Sequence, residues 1–316
     1  MFRFAIMGAG NIARHFCEAV ELVDGCAVCA VASKSPERAE RFAKERGIPS
    51  FYDDYGRMIE EHRPDCVYVA TTTDAHYELS MLCVEHNTPV LCEKAMFTST
   101  GDARACFREA EARRVFAMEA MWSRFLPAIQ CAREWVASGR IGRPVCAEMS
   151  LGFQAPDDPA NRYFNPALGG GAAFDLTVYG HELLTWVLDR AVTRVSAEVM
   201  RAPTGVDASE LVLLRLGGDV PATITASLEA RLDEKMAIYG TAGKIVIPRA
   251  HMAMEALLYG ADGAVVSRFV DRETQNGFVY EIMDVMDAVR GGRTQSDTVP
   301  HSATLACAEM FDQILS

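Results

Sequence analysis

The chain opens with a short apolar run, Phe2–Met7, that leads directly into the turn Gly8-Ala9-Gly10-Asn11-Ile12-Ala13 and then into an amphipathic helical pattern. In such a strand–turn–helix setting Gly8 permits a tight turn, and Gly10 lets the backbone approach a pyrophosphate. Ala13 allows the helix to pack closely on the strand, while free N–H groups at the helix start attract an anion. The turn therefore predicts a dinucleotide-binding βαβ unit. Its expected cofactor contacts are Gly8, Gly10, Asn11 and Ile12.

Short apolar runs and amphipathic helical stretches keep alternating over the first 120 residues, which is typical of βαβ units in a parallel sheet. Strands are predicted at 2–7, 26–32, 66–70, 90–92 and 115–118, with a weaker one at 50–52. We expect a Rossmann domain with a doubly wound parallel sheet over residues 1–121.

The pattern changes after Trp122, where strands with strict alternation follow one another without crossover helices. The clearest strand is 222–230, and Gly217-Gly218-Asp219 predicts a turn before it. Helical patterns at 172–188, 280–289 and 303–315 can cover one face of the sheet. We therefore predict a substrate-binding domain over 122–316, with a large, mostly antiparallel sheet that is open on the other face. Its C-terminal helix is also compatible with packing back on the first domain.

The composition restricts the partners. A formal net charge of −12 disfavours nucleic acid and anionic membranes, because both need clustered Lys and Arg. There is no apolar run of about 18 residues and no signal-peptide pattern, so we expect a cytoplasmic protein with a small-molecule ligand. The ten cysteines are scattered through apolar segments, which predicts reduced core residues. No spacing of His, Cys, Asp or Glu predicts a metal site.

The choice of cofactor depends on the residues about 20 positions after the turn, where enzymes committed to NAD usually carry Asp or Glu. This chain has Ser33 and Lys34 there. A hydroxyl and a cation can bind a 2′-phosphate through charge-assisted hydrogen bonds, whereas a carboxylate would repel it. The position favours NADP, with NAD possible. The alternative is that Lys34 is a solvated loop lysine without a role.

Three later blocks belong to the same pattern: Ala70-Thr71-Thr72-Thr73-Asp74-Ala75-His76, Cys92-Glu93-Lys94-Ala95-Met96 and Gly169-Gly170-Gly171-Ala172-Ala173-Phe174-Asp175. With Gly8-x-Gly10 they resemble, in order and spacing, the glucose–fructose oxidoreductase, inositol dehydrogenase and MocA (Gfo/Idh/MocA) family. Within it, segments 119–125, 175–179 and 205–207 are most similar to dimeric dihydrodiol dehydrogenases and NADP-dependent D-xylose dehydrogenases. The resemblance spans nearly the whole chain, although each block is specific only in combination.

Lys94 follows a short buried strand, so it should emerge at the carboxyl end of the parallel sheet, where open α/β folds bind ligands. The resemblance implies that Tyr179 is its catalytic neighbour and that Asp175, four residues earlier on a predicted helix, positions the substrate or tunes the pair. Tyr179 would take a proton from a substrate hydroxyl while hydride passes to the nicotinamide. Alternatively, Lys94 is itself the base and Tyr179 orients the hydroxyl.

The resemblance also implies cofactor contacts at Thr71, His76, Glu93 and Lys94, although His76 is nearly as well explained as a helix-capping residue. One departure concerns Ala95, because the family usually has Pro after Glu-Lys. If relatives hold that peptide bond cis, a non-proline residue needs ~2.5–4 kcal/mol to copy it. We therefore expect a trans bond and a slightly displaced Lys94.

The aromatic and basic residues around the domain boundary have two interpretations, a partly aromatic substrate pocket or ordinary core. They are Trp122, Arg124, Phe153 and Tyr163. The family implies an NADP-dependent enzyme that oxidises a sugar or a cyclic trans-diol and forms a homodimer through the open sheet. The competing hypothesis is a regulatory protein of the same fold that senses a sugar or dinucleotide without turnover.

Overall fold

The structure is a computed structural model that describes residues 1–316. The chain divides into two compact units. The first contains residues 1–122 and 276–305, and the second contains residues 123–275 and 306–316. No helix is both long enough and apolar enough to span a bilayer.

The first unit is built on a parallel sheet. Its six strands are β1 (Phe2–Met7), β2 (Cys26–Ala32), β3 (Phe51–Tyr52), β4 (Cys66–Val69), β5 (Val90–Glu93) and β6 (Ala117–Ala120). They lie in the order β3-β2-β1-β4-β5-β6, and every neighbouring pair is parallel. The strand order reverses between β1 and β4, which is the doubly wound topology. The predicted Rossmann fold is thereby confirmed.

Helices connect these strands. They are α1 (Asn11–Val20), α2 (Pro36–Arg46), α3 (Tyr55–His62), α4 (His76–Glu85) and α5 (Thr100–Arg113). Strand β6 begins two residues later than the predicted 115–118. The reason is that the Val115 N–H still donates to the Ala110 carbonyl at 2.8 Å and so belongs to the end of α5.

Residues 276–305 group with the first unit, whereas the sequence-based division assigned 122–316 to the second domain. Helix α8 (Phe278–Arg290) packs on α1, and the Asn276 side-chain amide donates to the His15 carbonyl at 2.9 Å. An amphipathic pattern shows that a helix packs on something but does not identify its partner, so the sequence could not make this assignment. The last helix is α9 (His301–Leu315).

The second unit is built on an eight-stranded sheet. The strands are β7 (Pro144–Gly152), β8 (Val192–Arg201), β9 (Asp207–Leu216), β10 (Val220–Ser227), β11 (Lys235–Gly240), β12 (Gly243–Pro248), β13 (Glu255–Gly260) and β14 (Val265–Val270). Their order is β14-β13-β12-β11-β7-β10-β9-β8, and only β7 and β10 pair in parallel. The predicted, mostly antiparallel sheet is confirmed.

Strand β10 ends at Ser227 and not at residue 230 as expected. The Ser227 hydroxyl accepts the N–H groups of Glu229 and Ala230, both at 3.1 Å, and this local hydrogen bonding turns the chain away from the sheet. The turn before β10 is confirmed, because Gly217 and Gly218 have φ angles of 58° and 85°.

One face of the second sheet is covered and the other is open. Helices α6 (Pro127–Ala137) and α7 (Val178–Leu188) belong to this unit, and α7 continues from a π-helical turn, Ala173–Thr177. Gly180 of α7 packs so closely on β10 that a Cβ there would come within 2.7 Å of Ile224. On the open face Leu211 and Leu213 are 51% and 49% exposed.

Candidate functional site

The glycine turn of the first unit has the geometry that its sequence predicts. Gly8 has a φ of +106°, and a Cβ there would come within 2.5 Å of the Ala70 carbonyl oxygen. A Cβ on Gly10 would meet nothing within 4 Å, and Gly10 begins α1 without a side-chain cap. The turn thus requires glycine at position 8, because of the positive φ and the close Ala70 carbonyl. Gly10 instead leaves open space at a helix N-terminus, where an anion can bind.

Thr71 supplies a second indication that a ligand fits here. It follows β4, the neighbour of β1, and its Oγ1 is buried without a hydrogen-bond partner. Buried hydroxyl groups are normally hydrogen-bonded, so an unpaired one next to the glycine turn suits a polar ligand group. These residues fit a dinucleotide whose pyrophosphate lies at the start of α1.

Ser33 and Lys34 follow the end of β2, beside the glycine turn. Ser33 is 6% exposed, and its Oγ accepts the Ser35 N–H at 3.3 Å. Lys34 is exposed. Ser35 caps α2 by accepting the Arg38 N–H, which fixes the backbone directly after Lys34. The arrangement presents a cation and a hydroxyl at the carboxyl edge of the sheet.

Lys94 directly follows β5 and is half-buried, as expected for a residue at the carboxyl end of the sheet. The expected trans peptide bond was wrong, since the Lys94–Ala95 bond is cis. Hydrogen bonds fix the backbone on both sides of Ala95. Its carbonyl accepts a hydrogen bond from the His76 ring at 2.8 Å, and the Met96 N–H donates to Glu119 Oε1 at 2.9 Å.

His76 braces two loops at this edge. It is 1% exposed, and its Nδ1 and Nε2 lie 2.8 and 3.2 Å from the carbonyl oxygens of Ala95 and Thr71. Burial lowers the pKa of the imidazole, so a neutral ring donates through one nitrogen, at the shorter distance to Ala95. The structure therefore gives His76 a bracing role, and its contact with the cofactor stays a prediction.

Glu93 lies at the inner side of this edge. It is 6% exposed and accepts a hydrogen bond from the Tyr68 hydroxyl, whose pKa is raised by burial. Tyr68 in turn stacks on Phe16 with ring centroids 3.8 Å apart. The carboxylate is thus tied to the core of the first unit, and its cofactor contact stays a prediction.

Two buried acids near this edge were missed by the sequence reasoning. Glu119 is 2% exposed and accepts from Met96 and from the Thr304 hydroxyl. Glu281 is fully buried with both carboxyl oxygens unpaired, and burial together with Glu93 raises its pKa well above the ordinary value. The signal was available for Glu281, because it interrupts the apolar face of α8.

In the second unit Asp175 and Tyr179 lie four residues apart, on the π-helical turn and at the start of α7. Tyr179 is 8% exposed, and its ring centroid is 5.5 Å from that of His251. The Asp175 Oδ1 lies 3.4 Å from the Arg162 guanidinium. The predicted helix over 172–188 is present, but its first turn is π-helical.

Two of the four expected pocket residues lie together beside Asp175. The rings of Phe153 and Tyr163 meet edge to face with centroids 5.1 Å apart, and the Arg162 guanidinium lies 4.0 Å from the Tyr163 centroid. Arg162 is a residue that the sequence did not single out. Its contact with both Tyr163 and Asp175 depends on a loop conformation that has no periodic signal.

The other two expected pocket residues have structural neighbours. Trp122 is half-buried and packs on Phe278 of the first unit, with centroids 5.2 Å apart. Arg124 is 3% exposed, and its Nη2 lies 2.8 Å from Glu182 Oε2. A buried pair of this kind favours a structural role for Arg124, so its contact with substrate stays a prediction.

Residues His181, Glu182 and Cys307 form a buried group whose potential ligand atoms lie within 4.8 Å of one another. Sequence spacing could not show it, because Cys307 is on a distant helix. Glu182 is already paired with Arg124, and His181 Nδ1 lies 3.1 Å from Glu182 Oε1. The group is therefore best described as a charge-balanced part of the core.

Two family models match the chain. Residues 2–121 match an oxidoreductase family with an NAD-binding Rossmann fold, GFO/IDH/MocA, and residues 129–246 match the GFO/IDH/MocA C-terminal domain. Mouse trans-1,2-dihydrobenzene-1,2-diol dehydrogenase is 30% identical over 318 residues, covering 98% of this chain and 95% of the relative.

Solved structures show the same fold. The aldose-aldose oxidoreductase of Caulobacter crescentus, complexed with glycerol, has a TM-score of 0.90 at 20% identity, covering 98% of this chain and 95% of that one. The 3-ketoreductase KijD10 of Actinomadura kijaniata, with NADP and TDP-benzene, has a TM-score of 0.88 at 23% identity, covering 99% and 96%.

Proposed function

The chain belongs to the GFO/IDH/MocA family of oxidoreductases, and we propose that it transfers hydride between NADP and a secondary alcohol or carbonyl group of a sugar or a cyclic trans-diol. One observation carries the proposal. Met7, Val69 and Cys92 are in register on three neighbouring strands, so the glycine turn, Thr71 and Lys94 share one carboxyl edge. Ligands of doubly wound sheets bind at such an edge. A sensor without turnover is not favoured, because the relatives are named as dehydrogenases and oxidoreductases.

We assign proton transfer to Tyr179 and Lys94. The cofactor, when bound, supplies or accepts the hydride. Tyr179 takes the proton of the substrate hydroxyl, and Lys94 assists as a cation; in the other order of roles, Lys94 is the base and Tyr179 orients the hydroxyl. Asp175 holds the substrate. Burial of Tyr179 at the start of α7 supports this assignment, because water is excluded from most of the phenol.

The variants Lys94→Met and Tyr179→Phe test the assignment. Each removes a proton-transfer group but leaves the glycine turn intact, so turnover should fall at least 100-fold. The Kd of NADPH should change less than threefold in Tyr179→Phe, whereas Lys94→Met also removes an expected cofactor contact and should weaken NADPH binding. The readouts are nicotinamide absorbance with aldoses, inositols and trans-diols, and fluorescence titration of NADPH. Lys44→Met, an exposed lysine paired with Glu40 on α2, is the matched control. Unchanged turnover in either catalytic variant would remove that residue from the mechanism.

A homodimer through the open face of the second sheet is part of the proposal. Leu211 and Leu213 of β9 are half-exposed and lie in register with Thr225 and Thr223 of β10. Apolar side chains next to short hydroxyl side chains form a flat surface that a second copy can cover. The mass in solution tests this, and a monomer at all concentrations would contradict it.

A cytoplasmic location is likewise proposed, supported by ten cysteines that are all free.

A further inference from the structure

A buried carboxyl group accepts a hydrogen bond from the start of the helical segment that carries Asp175 and Tyr179. Asp207, the first residue of β9, is 3% exposed and accepts the Ala173 N–H at 2.6 Å. Gly171 has a φ of +133°, and a Cβ there would come within 2.2 Å of Asp207 Oδ1. The backbone before the π-helical turn is therefore shaped around this carboxyl group.

A second carboxyl group lies beside the first. Glu210 is 3% exposed, and its Oε2 accepts the Thr177 hydroxyl at 2.5 Å. Its Oε1 is buried without an N–H or hydroxyl donor, and the Asp207 carboxyl group lies close enough to raise its pKa. Two carboxylates only accept hydrogen bonds, so this contact requires one shared proton.

The surroundings decide where the proton lies. Burial, followed by the charge of Asp207, raises the pKa of Glu210 to about 8. Among the elements packed against Glu210, β8 contributes the cation Arg201, the π-helical turn contributes Thr177, and β10 places the non-ionisable Ala226 opposite it. At neutral pH Glu210 therefore holds the proton, and Asp207 keeps its charge at the start of a helix, where the helix dipole stabilises it.

We propose that Asp207 and Glu210 are positioning residues that share one proton, hold the turn carrying Asp175 and Tyr179 in its reactive arrangement, and release it when that proton is lost. The proposal rests on the roles given to Asp175 and Tyr179 in the proposed function. Loss of the proton places two negative charges on adjacent buried groups, and the repulsion moves Asp207 away from the Ala173 N–H.

The pH profile of alcohol oxidation tests the pair. In this direction ionisation of the general base raises the rate, so a fall in kcat at alkaline pH reports another group. The wild-type kcat should fall about tenfold per pH unit above a midpoint near pH 8. In Glu210→Gln the amide donates to Asp207 at every pH. The fall should then disappear, and kcat at pH 7 should stay within about threefold of the wild type. Glu273→Gln, an exposed acid in the loop after β14, should keep the wild-type profile.

Hydrogen exchange gives a readout that needs no turnover. Between pH 7 and pH 9 the amides of residues 172–180 should exchange faster than intrinsic chemistry requires in the wild type, but not in Glu210→Gln. If Glu210→Gln does not fold, Asp207→Asn replaces it, because a neutral residue 207 also prevents the second charge. The proposal for Asp207 and Glu210 is overturned if the wild-type kcat does not fall at alkaline pH, or if the fall persists in the folded variant. Absence of turnover with every substrate overturns the proposed function instead, and hydrogen exchange then tests the role of Asp207 and Glu210 separately.

Discussion

The first unit places its candidate cofactor-binding residues at the ends of adjacent parallel strands, whereas the second places the candidate catalytic residues Asp175 and Tyr179 on a π-helical turn and the helix that follows. In the first unit the backbone makes the site, through Gly8 with its positive φ and a helix start without a side-chain cap. In the second unit a buried side chain, Asp207, fixes the backbone by accepting the Ala173 N–H. The candidate cofactor site thus depends on strand topology, whereas the position of the candidate catalytic residues depends on one tertiary contact.

Substitutions in the glycine turn should have the largest effect. Gly8→Ala adds a Cβ within 2.5 Å of the Ala70 carbonyl at a φ of +106°, so we expect a loss of about 1–3 kcal/mol in the free energy of unfolding and no detectable NADPH binding. Gly10→Ala is the matched variant, because its Cβ meets nothing within 4 Å. It should keep the melting temperature while weakening NADPH about tenfold or more through contact with the pyrophosphate.

Thermal unfolding and fluorescence titration measure both variants. If Gly8→Ala bound NADPH as the wild type does, the turn would not be the backbone element that the first unit uses for the cofactor.

Gly171→Ala tests the corresponding feature of the second unit. Its Cβ would lie 2.2 Å from Asp207 Oδ1, so the carboxyl group must move and the turn carrying Asp175 must shift. We expect kcat to fall at least tenfold with the Kd of NADPH unchanged, because a small displacement of catalytic groups has a large effect on rate. Gly263→Ala is the control, since it has a φ of +80° but nothing within 4 Å of the new Cβ. An equal loss of kcat in both variants would assign the effect to backbone strain alone.

The same contrast explains what the sequence could predict. The phosphate turn, the doubly wound parallel sheet and the position of Lys94 after a strand follow from local patterns and a topological rule, and the structure confirms the fold built from them. The helix over 172–188 was also predictable. Its π-helical start was not, and neither was the hydrogen bond from Ala173 to Asp207, because that bond joins a helical turn to a side chain 34 residues away, which no local pattern shows.

The arginine residues show a further limit. From the sequence, Arg124 was a candidate pocket residue and Arg162 was not. In the structure Arg124 pairs with the buried Glu182, and Arg162 lies 3.4 Å from Asp175. A basic side chain near a domain boundary carries no local signal for its partner, so only the folded chain distinguishes a structural arginine from one beside the candidate substrate residues.

Substitution of Lys34 should have the smallest effect on cofactor binding, because Lys34 contributes a side chain and not a backbone feature to the candidate site. It is exposed at the end of β2, so its attraction for a 2′-phosphate is partly screened by solvent. Lys34→Ala should weaken NADPH about tenfold, which corresponds to about 1.4 kcal/mol, and leave NADH unchanged. Lys44→Ala, which removes an equally exposed lysine from α2, should leave both cofactors unchanged. Titration at two salt concentrations measures this, because the difference between NADPH and NADH should shrink as salt rises. Tighter binding of NADH than NADPH by the wild type would show that Ser33 and Lys34 do not select the cofactor. The glycine turn at the sheet edge would then remain the candidate cofactor site, without these two side chains.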